Sequence, residues 1–415
     1  MPDNTSGLFG RPTPRIDGVA KVTGAARYAS DEPVANPAFA YLVTSAIARG
    51  RIDGFNLEPA KAVAGVLDIL THENVGNQAK PPLTLGGGPT TTTLESDHIW
   101  HDGQIIAVVV ADTYEAAREA ANKVGVNYAP EPSAATFDSP GVETEPHQPL
   151  FGPDPQKGNA EAAFAAAPVK VDARYQTPTQ HHNAIELFAA TCVWEGPQLT
   201  IYEPSQMMWG TKAAVACQLG LDPANVRVVS RYVGGAFGAK GGLAATAWIA
   251  IAAKRLGRPV RLVATRDQSF TIATYRAETR QHVKLGSSQD GKLMAYFHEG
   301  WDIASRPSGF NVVGVDATAR MYACPNIATA GNVVHADRNT PGFMRAPPET
   351  PYMFGLESAM DELAYALSMD PIELRRVNDT QTDPVSGLPF SSRSLMQCFD
   401  QAAAKFGWSR RNPLP

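Results

Sequence analysis

No run in this 415-residue sequence approaches the roughly 18 apolar residues of a membrane-spanning helix, and the opening MPDNTSGLFGRPTPR has no apolar core of signal-peptide length. The expectation is a chain with neither a bilayer anchor nor an export signal of its own. Cysteine is scarce. Cys192, Cys217, Cys324 and Cys398 lie far apart with no C-x-x-C pair, which excludes a local thiolate cluster for zinc or iron–sulfur. Each is expected as a small buried hydrophobe, and electrons leaving this protein would need another chain. Strong charge is also lacking. A net charge of -5 gives no basis for binding nucleic acid or an anionic membrane surface.

What is present is organised around residues 226–258, VRVVSRYVGGAFGAKGGLAATAWIAIAAKRLGR. The β-branched start predicts a strand, the glycines a loop, and the Ala-rich apolar stretch a buried helix stopped by Gly257. Glycines let backbone N–H groups approach a ligand, and a helix N-terminus adds donors and partial positive charge, so the loop suits an anionic cofactor. A tight turn with no ligand is the competing reading of the loop alone. The spacing is not G-x-G-x-x-G, no acidic residue ends a following strand, and no Gly-Lys-Ser/Thr triplet occurs, so dinucleotide and P-loop readings are poorly supported.

Before this unit, residues 1–14 read as an extended lead-in. Strands are expected at 41–47, 66–70 and 105–111, with short helices at 59–66 and after Asp112, where Asp112 and Glu115 have capping-box spacing. Residues 83–93 read as loop or edge hairpin. The Pro- and acid-rich stretch 131–157 reads as a linker draped over a surface, dividing a domain at 15–130 from a second at 158–415. The second is expected to alternate strand and helix, with helices at 207–219 and 356–367. A further helix should start at Asp370-Pro371, with Glu373 completing a capping box.

Several stretches now resemble one family in its own order: RIDGVAKVTGAARY at 15–28, GQIIAVVVAD at 103–112, VGGAFGAK at 233–240, LESAMDELA at 356–364 and DPIELR at 370–375. They resemble the large subunit of molybdenum hydroxylases, the xanthine dehydrogenase and aldehyde oxidase family. The resemblance implies an α/β (mixed α+β) fold, an α/β hammerhead domain followed by the first half of the molybdopterin-binding domain. It implies molybdopterin cytosine dinucleotide, or unextended molybdopterin, as cofactor. The cofactor-binding residues implied are Gln206, the loop Gly234, Gly235, Ala236, Phe237 and Gly238, and Arg345, which is also the implied catalytic residue, with no direct protein ligand to the metal. A neutral amide can donate to an oxo ligand, and a guanidinium keeps its charge beside anionic oxygens.

Departures from the family narrow the expected substrate. Purine-hydroxylating members have glutamate after the loop lysine, where this chain has Gly241. They have arginine where Val313 stands, and a stacking phenylalanine where Pro347 stands. Without those polar grips, aldehydes or neutral aromatics suit the pocket better than purines. His181-His182 is read as structural, because adjacent side chains on a strand face opposite ways.

Family members continue for about as long again, and that half carries the general-base glutamate. Glu349 and Glu357 are the nearby glutamates in this sequence; Glu357 is expected in the first turn of a helix, where acids suit the dipole, and neither reads as the base. The resemblance therefore implies a second polypeptide to complete the pocket, with iron–sulfur and FAD subunits as partners. The compartment would be cytoplasmic, or periplasmic by export with a signal-bearing partner. A catalytically inactive fragment or scaffold, and more remotely a nucleotide-dependent dehydrogenase, are the alternatives.

Overall fold

The computed structural model describes residues 12–75, 77–79, 93–149, 152–308 and 310–412. The loop expected at 83–93 lies outside them except for Thr93, as does the lead-in up to residue 11. The larger sheet has seven strands, in the order Val226–Val229, Gln198–Tyr202, Ala189–Glu195, Val260–Val263, Ala38–Thr44, Ile105–Ala111 and Val66–Thr71. Strands from both sides of the Pro-rich segment therefore share one sheet: Ala38, Phe39 and Ala40 pair in parallel with Val260, Arg261 and Leu262.

Every residue of Ile105–Ala111 is buried, because both faces of this strand are covered. Val108 and Val110 join a cluster containing Trp248, Ile249 and Ala252 of helix Thr246–Leu256. Val109 packs with Ala120 and Ala121 of helix Tyr114–Ala121 on the other side. A strand buried twice has no reason to alternate, which explains the continuous IIAVVVA run. The Ala-rich helix is buried along Thr246–Ala253, and the indole N–H of Trp248 donates to Thr93 Oγ1 at 2.7 Å. Gly257, with φ 61°, ends it in the left-handed conformation that glycine adopts without a Cβ clash.

The second large sheet has Glu143–Pro146, Ile327–Ala336, Leu293–Ser305, Thr279–Ser287 and Val169–Thr177 in order, with Gln156–Lys157 pairing on Ile327–Ala336. Val283, Leu285 and Tyr296 pack on Leu356, Met360 and Leu363 of helix Glu349–Ala366. His98–Ile99, Gly50–Asn56 and Gly125–Pro130 form a small third sheet.

Several local expectations need correction. The 131–157 stretch is not only a linker: it adds two short pairing segments to the second sheet. Its prolines fit there because Glu143–Pro146 is an edge strand, where a missing N–H leaves no ladder bond unmade. Helix Glu349–Ala366 starts two turns earlier than the sequence implied, since Pro351 sits in the first turn, where its N–H would be unpaired anyway. Thr113, not Asp112, caps helix Tyr114–Ala121 and accepts from Ala116 N–H at 3.1 Å, while Asp112 pairs with Arg258. Asp370 caps the next helix as expected, but Glu373 pairs with Arg376 instead of closing a capping box. The second half also contains a long antiparallel pair, Thr279–Ser287 with Leu293–Ser305, where helix alternation was expected. All four cysteines are free, and Cys398 is exposed, not buried.

Candidate functional site

Strands Gln198–Tyr202 and Val226–Val229 run parallel, with Tyr202 opposite Val229. Their carboxyl ends therefore release two segments side by side, 203–206 and 230–242, the position where open α/β sheets place ligands. A third segment, 342–348, precedes helix Glu349–Ala366 and meets the glycine loop. Gly238 N–H donates to Gln206 Oε1 at 3.0 Å, and Gln206 N–H donates to Lys240 O at 2.8 Å. Arg345 N–H donates to Phe237 O at 3.1 Å, and the Arg345 guanidinium lies 4.1 Å from the centre of the Phe237 ring. Gln206, the loop 234–238 and Arg345 thus form one constellation, although 139 residues separate its ends in the sequence (345 − 206).

Two of the loop glycines serve a need that their pattern does not show. A Cβ on Gly234 would fall 2.5 Å from Glu186 Cβ, and one on Gly238, at φ 117°, would fall 2.1 Å from Phe343 O. They permit close approach of other protein segments to the loop. The helix N-terminus behind the loop is likewise already occupied. Buried Glu203 accepts from Leu243 N–H at 3.0 Å and from the Thr246 hydroxyl at 2.5 Å, and burial pushes its carboxyl up to about 7. A dinucleotide pyrophosphate at this helix start would compete with that carboxylate, which disfavours the dehydrogenase reading.

Residues not named among the cofactor-binding candidates hold the constellation in place. Arg276 donates to four successive carbonyls, Met344, Arg345, Ala346 and Pro347, at 2.5 to 3.2 Å. His182 Nε2–H donates to Phe343 O at 2.6 Å. Lys240 is buried and ion-paired with Glu186 Oε2 at 2.8 Å; burial lowers its pKa, and the bond to Glu186 offsets part of that. A basic residue between alanine and glycine carries no periodic signal of burial, and a guanidinium that binds backbone carbonyls leaves no pattern of side-chain partners. His182 is buried, and half-buried His181 packs against Phe270 and Tyr275. No cluster of three or more His, Cys, Asp or Glu suited to a metal occurs among the described residues.

Strain and unmet hydrogen bonds gather here. Phe237, Arg345, Ala346 and nearby Asn183 have φ of 58°, 26°, 50° and 48°, four of the seven non-glycine residues with positive φ among those described. Such strain persists only where surrounding structure enforces it, and it concentrates at functional sites. Glu186 Oε1, Thr274 Oγ1 and Arg276 Nε are buried without a partner. Glu186 and Thr274 also line a cavity with His181, His182, Lys240 and Arg266. Among the described residues, the amides of Gly235, Ala236 and Phe237 donate to no protein acceptor, and Arg345 has no carboxylate partner. Gln206 Oε1 is taken by Gly238, which leaves its NH2 as donor. N–H groups and one uncompensated positive charge, with no carboxylate of this constellation facing them in an ion pair, can hold an anionic, oxygen-rich group.

Residues 142–379 match the molybdopterin cofactor-binding domain, and residues 23–132 match the aldehyde oxidase and xanthine dehydrogenase a/b hammerhead domain. The chain belongs to this molybdopterin-binding oxidoreductase family, and its fold is the hammerhead followed by the molybdopterin-binding domain. It is 39% identical over 416 residues to the aldehyde oxidoreductase molybdenum-binding subunit PaoC of Escherichia coli K12, covering 98% of this chain and 55% of that one. It is 28% identical to the xanthine dehydrogenase molybdenum-binding subunit of Escherichia coli O157:H7, covering 96% and 56%. The aldehyde oxidoreductase structure from Desulfovibrio gigas superposes with a TM-score of 0.82 at 26% identity, over 95% of this chain and 46% of that one. The chain spans about half the length of these relatives.

Proposed function

We propose that this chain is the N-terminal part of the molybdenum-cofactor subunit of an aldehyde-oxidising hydroxylase, which converts aldehydes to carboxylic acids with oxygen from water. The observation that carries the reading is the convergence of Gln206, the 234–238 loop and Arg345 at the carboxyl ends of two parallel strands. The donor set fits an oxygen-rich anionic cofactor held through its outer oxygens. When bound, that cofactor supplies the two-electron redox chemistry. The Gln206 NH2 holds an oxygen without exchanging a proton. Stacking on Phe237 fixes the Arg345 guanidinium in place, so positive charge is present before substrate arrives. The loop amides of 235–237 orient the anionic part of the group.

Gly241, Val313 and Pro347 offer no charge to a purine ring, which favours aldehydes or neutral aromatics. PaoC is named as an aldehyde oxidoreductase subunit, which supports the same choice. The proton acceptor comes from elsewhere in the complete enzyme. Glu357 sits mid-helix, not in a first turn, and is committed to Arg375 and the Tyr322 hydroxyl. Met207, Met208 and Trp209 directly after Gln206 are exposed, Trp209 by 80%, so this rim suits cover by further polypeptide. Electrons would pass to iron–sulfur and FAD subunits, and the pterin would be the cytosine dinucleotide or unextended form.

The test is to purify the complete polypeptide with its partner subunits from cells that make molybdenum cofactor, then assay metal and dye reduction. Molybdenum with aldehyde-dependent reduction is expected. Molybdenum with preferential purine oxidation would sink the substrate choice, and absence of molybdenum would leave the inactive-scaffold reading.

A further inference from the structure

The loop 234–240 is held at both ends by one side chain. Glu186 Oε2 accepts from Gly234 N–H at 2.6 Å and from Lys240 Nζ at 2.8 Å, while Glu186 O accepts from Lys240 Nζ at 3.0 Å. In return, Glu186 N–H donates to Gly234 O at 3.1 Å. Lys240 passes the restraint on, because its carbonyl accepts Gln206 N–H and the Gln206 carboxamide accepts Gly238 N–H. Two charges sit in this path, with Lys240 only 1% exposed and Glu186 11% by side chain.

Stability alone gives a poor account of this pair. Burying two charges is costly, and the gain exceeds the cost only when every lone pair is satisfied. Here Glu186 Oε1 is left buried without a partner. An apolar pair of similar volume would hold the fold as well, but it could not bind Gly234 N–H and the backbone of residue 186 together.

We propose that Glu186 and Lys240 are positioning residues: their ion pair sets the span of the 234–240 loop and, through the Lys240 carbonyl, the placement of Gln206 for the cofactor. This rests on the cofactor reading above. Neither side chain touches the cofactor; both act through the loop.

The test uses the complete polypeptide purified with its partners from cofactor-making cells, read by molybdenum content, by pterin fluorescence after oxidation, and by thermal melting. Singly, Glu186→Ala and Lys240→Met each strand a buried charge, so both destabilise and deplete metal. The double variant Glu186→Leu with Lys240→Met removes both charges at once and should melt within a few degrees of wild type. If the pair positions the loop, this stable double variant still holds about tenfold less molybdenum and pterin, the range seen when groups supporting a metal site are lost. A stable double variant with wild-type molybdenum overturns the proposal. Should the double variant misfold, Glu186→Gln with Lys240→Gln decides, because it strands no charge and keeps both an acceptor for Gly234 N–H and a donor at residue 240. Molybdenum within about twofold of wild type is expected for it, and depletion as deep as in Glu186→Ala overturns the clamp. Wild-type protein without molybdenum would instead remove the cofactor reading on which the proposal stands.

Discussion

The two large sheets both bury polar side chains; the Ser287 and Ser305 hydroxyls of the second are left without a partner, but the ionisable groups of the two regions are treated differently. In the second sheet, His298 is enclosed and fully engaged: Nδ1 meets the Tyr296 and Thr318 hydroxyls, and Nε2 meets Gln281 Oε1, each at 3.0 Å. Neighbouring Asp302 accepts from the Tyr352 hydroxyl at 2.7 Å and from Val312 N–H at 3.2 Å. Around the glycine loop, a carboxylate oxygen of Glu186 and the Nε of Arg276 are left unpaired, beside residues held at positive φ. A satisfied polar network fixes one packing. Orphaned charge and strain are tolerated where something other than stability is served.

The sharpest way to break this contrast is Arg276→Met, which strips four carbonyls of residues 344–347 of their donor. A loss of about 3 kcal/mol in urea unfolding is expected, together with loss of molybdenum. Unchanged metal content would show that the 342–348 segment does not need its anchor. On the proposed reading, Arg345→Ala in the complete enzyme should do the opposite, since the side chain is exposed: turnover of aldehyde falls on the order of 100-fold while the melting midpoint stays put. A parallel fall in stability would return Arg345 to the ranks of packing residues.

On the other side of the comparison, His298→Ala opens a cavity and strands Gln281 and Thr318, costing roughly 2 kcal/mol. Metal content per folded molecule should not move, and if it did, the second sheet would be part of the site. A further effect concerns pH. The Glu203 carboxyl is raised from 4.5 to about 7 by burial, so the native state holds this proton where the unfolded chain has released it. Its contribution is complete below about pH 4.5 and is lost as pH rises to about 7, at up to ~1.4 kcal/mol per pH unit. Glu203→Gln should flatten that slope in chemical denaturation series across pH 5–7, and an unchanged slope would assign it to another group.

How much of this was legible beforehand differs by feature. The strand at 105–111, the Ala-rich helix and its Gly257 stop follow from local apolar content, and the structure keeps them. Gln206, Phe237 and Arg345 could be named only because several stretches resemble a family in order; singly, each had a plain structural reading. Glu186, Glu203, Arg276 and the burial of Lys240 were missed. Their partners are backbone groups or residues far away in the chain: Lys240 lies 54 residues beyond Glu186 and 34 beyond Gln206 (240 − 186 and 240 − 206). The Pro-rich stretch misled for a related reason, because proline excludes a central strand but permits an edge.

The sequence by itself determined the strong local elements and the family with its fold. Those depend on periodicity, composition and motif order, which survive in one dimension. Only the tertiary structure decided what the glycines are for, which charges are buried, and which residues support the loop. Close backbone approach and burial of charge are set by segments far apart in the chain that meet at one end of a sheet, and no local pattern of residues encodes that meeting.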